Sequence, residues 1–122
     1  MGTRVITLQE PSGEILDDVF KKKPTFKDIY PKIGASIIQI VKGIIEIDTR
    51  KGVKRKTVEM WIDEEGKLTG KPVNVKATMA YQLYNKKRFG YANRDTISGS
   101  VAFIIPNYEQ YEVERWAKDL NK

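Results

Sequence analysis

The sequence predicts a single α+β domain, one antiparallel, hairpin-rich sheet with two or three helices packed on one face. Three observations predict it. The 122 residues fit one domain, large enough to hold a core without a disulfide or metal staple. An isoleucine-rich run at 36–49 and an alternating run at 56–62 flank a glycine-bearing turn. Residues 74–85 and 107–120 carry apolar positions at helical spacing behind asparagine caps. No repeat, linker or low-complexity segment divides residues 1–122.

Residues 3–9 read as a strand with Ile6 and Leu8 on one face and Val5 and Thr7 on the other. Pro11-Ser12-Gly13 marks a turn. Residues 14–20 read either as strand or as loop. Thr25 can cap a short helix through Tyr30, with Asp28 at the capping-box position and Pro31 as its end. Gly43, inside the strand at 36–49, suggests a bulge or sharp bend. Residues 50–55 read as a hairpin turn. Residues 56–62 set Val58, Met60 and Ile62 against Thr57, Glu59 and Trp61.

Asp63-Glu64-Glu65-Gly66 reads as a second hairpin turn with a left-handed glycine, and Lys67 and Leu68 as the start of a returning strand. The helix from Asn74 to about Asn85 would bury Val75, Met79, Leu83 and either Ala80 or Tyr84. Residues 86–95 read as a loop. Residues 96–105 read as a strand containing Gly99, ended by Pro106. The final helix, 107–120, would bury Val113, Trp116, Ala117 and Leu120.

The chain has no cysteine and no histidine. This excludes zinc sites of the usual kind, thiol nucleophiles and imidazole acid–base pairs. No enzyme, cofactor or metal site is therefore expected. Neither a signal peptide nor a membrane-spanning run is evident: the apolar stretch at 37–47 is broken by Gln39, Lys42, Gly43 and Glu46. A cytoplasmic location is expected, that of the host cell if the protein is phage-encoded. The net charge of +6 favours polyanions or acidic protein surfaces.

The densest charge lies in Arg50-Lys51-Gly52-Val53-Lys54-Arg55-Lys56, five cations on one predicted hairpin tip. Such a ribbon can track phosphates or enter a nucleic-acid groove. The plainer reading is a solvated turn that discourages edge pairing. Lys86, Lys87 and Arg88 form a second basic cluster, and residues 21–23 a third. Tyr81, Tyr84, Phe89 and Tyr91 lie near the second, as stacking platforms or as core.

Other constellations are weaker. Asp63, Glu65 and Lys67 match an acid-x-lysine nuclease string but sit in a turn. Residues 66–71 resemble a phosphate-binding loop one residue short, with Pro72 where the hydroxyl residue belongs. Ser98 and Ser100 have no histidine to activate them. Asn74 at a helix N-terminus, with Lys71 and Asp95 nearby, outlines an alternative anion or nucleotide site.

Ile62-Asp63-Glu64-Glu65-Gly66-Lys67-Leu68 is followed by Gly70, Pro72, Asn74, Ala77 and Thr78, then by Asp95, Ile97, Gly99 and the apolar run at 101–105. On these positions residues 60–105 resemble an uncharacterised domain family common in bacteriophage genomes. Lys71 and the basic stretch at 86–94 depart from its pattern. The resemblance implies a strand–turn–helix unit followed by a final strand. It supplies no catalytic residues, and it suggests a phage or mobile-element origin, where small basic proteins often act on host factors.

The leading expectation is a non-enzymatic binding protein whose basic surface engages nucleic acid or an acidic host protein. The runner-up is a small-molecule or nucleotide-sequestering protein, and a metal-dependent nuclease comes third. A homo-oligomer is compatible with either binding role, and no membrane partner is expected.

Overall fold

In the computed structural model, which describes residues 2–49, 51–90 and 95–106, the fold is organised around the run Val-Ala-Phe-Ile-Ile. This run forms strand β5 (Val101–Pro106), whose first five residues are all buried. Alternation sends Val101, Phe103 and Ile105 to one face of the sheet and Ala102 and Ile104 to the other. A strand apolar on both faces needs cover on both.

β5 pairs with β1 (Thr3–Leu8) on one side and with β4 (Gly52–Asp63) on the other. β2 (Ile15–Phe20) lies outside β1, and β3 (Ile38–Thr49) lies outside β4. The order is β2-β1-β5-β4-β3, antiparallel throughout. The ambiguous segment at 14–20 is thus an edge strand.

The α+β class stands, but the two described helices cover opposite faces. α1 (Phe26–Ile33) places Ile29 and Ile33 against Val5, Trp61, Ala102 and Ile104. α2 (Val75–Phe89) places Ala77 and Ala80 against Met60, Phe103 and Ile105. The two-faced apolar run of β5 is the physical reason. The predicted final helix with Trp116 lies outside the described residues.

α1 begins as its capping box predicts. The Asp28 carboxylate accepts the Thr25 N–H at 2.8 Å and the Thr25 hydroxyl at 3.0 Å. These bonds, the backbone one first, hold that carboxyl below the usual aspartate range. The helix continues past Pro31 to Gly34, which caps it at φ 64°. Burial of Ile33 beside Ile29, and an ion pair from Lys32 to Asp18 at 2.6 Å, outweigh the one backbone bond proline removes.

Gly43 is neither bulge nor bend, since it sits in regular register opposite Val58. A Cβ there would stand 3.1 Å from Ala80 Cβ and 2.8 Å from Met60 Sδ, so the glycine lets α2 lie close on the sheet. This approach selects the buried face of α2. Small Ala77 and Ala80 turn inward, whereas Val75 and Met79, expected in the core, are 62% and 66% exposed.

Residues 64–70 form turns, with no returning strand. Gly66 is not left-handed there; a Cβ would come within 2.6 Å of the Ser98 carbonyl oxygen. Residues 96–100, read as part of the strand, lead into β5 without belonging to it; Ser98 makes one isolated antiparallel bridge, to Val73. Gly99 turns the chain at φ 87° and donates its N–H to Pro72 O at 2.7 Å.

Candidate functional site

The basic run at 50–56 is mostly strand, because β4 starts at Gly52 and pairs Thr49 with Gly52. The cations are therefore not gathered at one tip. Lys54 and Lys56 share a face with Val58, the face that α2 covers, while Arg55 points to the opposite one. Lys51, Lys54 and Arg55 are exposed and Lys56 is half-buried. Arg55 Nη2 lies 3.0 Å from Glu46 Oε1 on β3. Arg50 lies outside the described residues.

β4 pairs with β5 only over Glu59 to Ile62. Residues 52–57 and 44–49 pair only with each other among the described strands, so the basic run lies on a two-stranded ribbon. Val53 on this ribbon is 67% exposed.

Lys86, Lys87 and Arg88 are not in a loop. They form the last turn of α2, capped by Gly90 at φ 82°, where their charge opposes the helix dipole. All three are exposed. The Arg88 guanidinium carbon stands 5.7 Å from the centre of the Phe89 ring, and that ring is 57% exposed. Tyr81 packs against the core and Tyr84 is half-buried. Tyr91 lies outside the described residues.

The ribbon and the helix end meet. Ile44 and Thr57, paired across the ribbon, bound a cavity of about 300 Å³ together with Tyr84, Lys87 and Arg88. The cluster at 21–23 lies toward the α1 face: Lys23 pairs with Glu59 at 2.9 Å and stands 5.8 Å from the Trp61 ring centre. Burial pushes the Glu59 carboxyl up, but bonds from the Trp61 indole and Lys23, with the charge of Lys42, bring it below its ordinary value.

The alternative anion site is built from side chains with internal bonds. Lys71 Nζ donates to the buried Asp63 carboxylate and to Gly34 O at 2.9 Å. Asn74 is 1% exposed; its Oδ1 accepts the Ala77 N–H at 3.1 Å, and its Nδ2 donates to Gly99 O at 3.2 Å and Leu8 O at 3.4 Å. Asp95 accepts from Lys67 and from the Thr96 N–H. Among the described residues no group of three acidic side chains could hold a metal ion, Asp63 and Glu65 included. No described helix is long and apolar enough to cross a membrane.

Sequence reasoning missed one feature. Met79, Leu83 and Lys86 of α2 line a groove of about 540 Å³ with Ile45 and Phe103. Its signal was the pairing of Gly43 with the Ala77 and Ala80 spacing, which marks the small-residue face as the buried one. Comparison with protein-family models, with curated proteins and with solved structures finds no match. The resemblance carried by residues 60–105 therefore has no matching family model behind it.

Proposed function

We propose that this chain is a non-enzymatic binding protein that uses a basic surface against a polyanionic target, nucleic acid or an acidic host protein. Its phage character rests on the resemblance of residues 60–105, and the cytoplasm, the host's if it is phage-encoded, is where it would act. The observation that carries the reading is the cavity shared by Ile44, Thr57, Lys87 and Arg88. It sets Lys87 and Arg88 of the helix end beside Thr57, the residue that follows Lys56 of the basic run. Lys54, exposed on the ribbon, and the exposed Phe89 ring next to Arg88 add phosphate-pairing and stacking chemistry.

The test is a titration of short duplex DNA, and separately of polyglutamate, into the parent and into Lys54→Ala/Lys87→Ala/Arg88→Ala. These side chains are exposed, so the melting temperature should hold while binding weakens. With DNA, each lost phosphate contact flattens the log–log salt slope by about 0.9. With an acidic protein, slower association dominates. Equal binding by parent and variant at low and physiological salt would sink the reading, as would a parent that binds neither probe.

The nucleotide-sequestering alternative, through Lys71, Asn74 and Asp95, draws no support from the internal bonds those side chains make.

A further inference from the structure

The two edges of the sheet differ. β2 is six residues long and carries Asp17 and Asp18, which pair with Arg4 and Lys32. Short length and charge blunt such an edge. β3 is twelve residues long and rich in isoleucine, and no described strand pairs with its outer side. Ile40 on it is 42% exposed. A long apolar edge invites another strand unless something opposes pairing. The exposed charges at its middle are Lys42 and Glu46, four residues apart on the same face with Ile44 between them.

We propose that β3 is the interface for a second copy of this chain, pairing antiparallel about a two-fold axis at Ile44. In that register Lys42 faces Glu46 of the second copy, and Glu46 faces its Lys42. Within one chain Lys42 already stands opposite Glu59, and Glu46 opposite Arg55. The paired sheet therefore carries, twice, a row of alternating charge across four strands: Glu59, Lys42, then Glu46 and Arg55 of the second copy.

Other registers lose this match. A two-fold axis at Lys42 or at Glu46 sets like charges face to face. Moving the axis by one residue, to Gly43 or Ile45, sets Glu46 against Ile40 or Ile44 instead of a cation. The self-complementarity lies in the edge strand alone and does not depend on what the basic ribbon binds. Because the axis is perpendicular to the sheet, both α2 helices fall on the same face, and the two ribbons point in opposite directions.

Sedimentation equilibrium of the full chain tests this with two single variants, Lys42→Glu and Glu46→Lys. The parent should dimerise. Each variant alone sets two like-charge contacts against itself and should dimerise about tenfold more weakly or less. Mixed one to one, the variants restore opposite charges at both contacts and should associate as the parent does. This rescue separates pairing from a folding defect, which mixing would not repair; circular dichroism of each variant checks the fold directly. A parent that stays monomeric up to about 1 mM in low salt overturns the proposal. So does a parent dimer that either charge reversal leaves intact, or a mixture that associates no better than the variants apart.

Discussion

Gly43 of β3 lies directly beneath Ala80 of α2, with only 3.1 Å between the Ala80 Cβ and the point where a Cβ at position 43 would be. Met60 Sδ, from the neighbouring strand β4 on the same face, closes the same point at 2.8 Å. The sulfur end of methionine can move, but the alanine methyl group is fixed by the helix backbone. Gly43→Ala should therefore cost about 1–3 kcal/mol, as overpacking does, even though alanine narrows the unfolded ensemble. Urea unfolding measures it. A variant as stable as the parent would show that α2 can lift from the sheet without penalty.

Lys71 and Asp63 form an ion pair in which the carboxylate is almost wholly covered and the ammonium about a quarter exposed. Removing the cation leaves Asp63 buried with, among the described residues, one side-chain bond, from the Glu65 N–H at 3.0 Å. Lys71→Met should cost about 2–3 kcal/mol, somewhat less than a fully buried pair. Lys71→Met/Asp63→Leu should recover much of that, because it removes the stranded charge as well. If Lys71 instead served a bound anion, the single variant would keep the parent's melting temperature and lose only ligand binding.

The strands were the most legible part of the sequence, because their signals are local. The alternation at 56–62 and the two-faced apolar run at 101–105 specify β4 and β5 directly. The side of the sheet each helix takes is a relation between distant residues. It follows from Ile104 needing cover by Ile29 while Phe103 needs Ala80, which no local window contains. Pro31 misled for a similar reason: its local penalty is real, but burial of Ile33 outweighs it. The basic clusters were legible as composition, whereas the approach of Lys87 and Arg88 to Thr57 of the ribbon arises only on folding.

Asn74 holds three elements together with one amide: the first turn of α2, the end of β1 and the Gly99 turn. Asn74→Ala should cost about 2–4 kcal/mol, combining a lost cap with two buried carbonyls left short of a donor. Asn74→Asp gives the sharper test. Aspartate caps isolated helices as well as asparagine does, yet here its second oxygen would face the Leu8 and Gly99 carbonyls. It should be at least as unstable as alanine by thermal melting. Full rescue by aspartate would mean that only the cap matters.

Glu59 links stability to pH, with a sign its environment determines. Its carboxyl is held below the ordinary range by the Trp61 indole N–H at 3.0 Å and by Lys23, against the opposing effect of burial. A lowered folded-state pKa means that the stabilisation is fully present above the unfolded-state value. It is then lost as pH falls through the folded one. Glu59→Gln keeps an acceptor for the indole but removes the charge. The parent should therefore exceed this variant in stability by a constant margin at neutral pH, and the margin should shrink only below the ordinary glutamate range. Melting temperatures from pH 7 down to about pH 2 measure it. A margin that does not change across that span would mean that charge at position 59 contributes nothing to the fold.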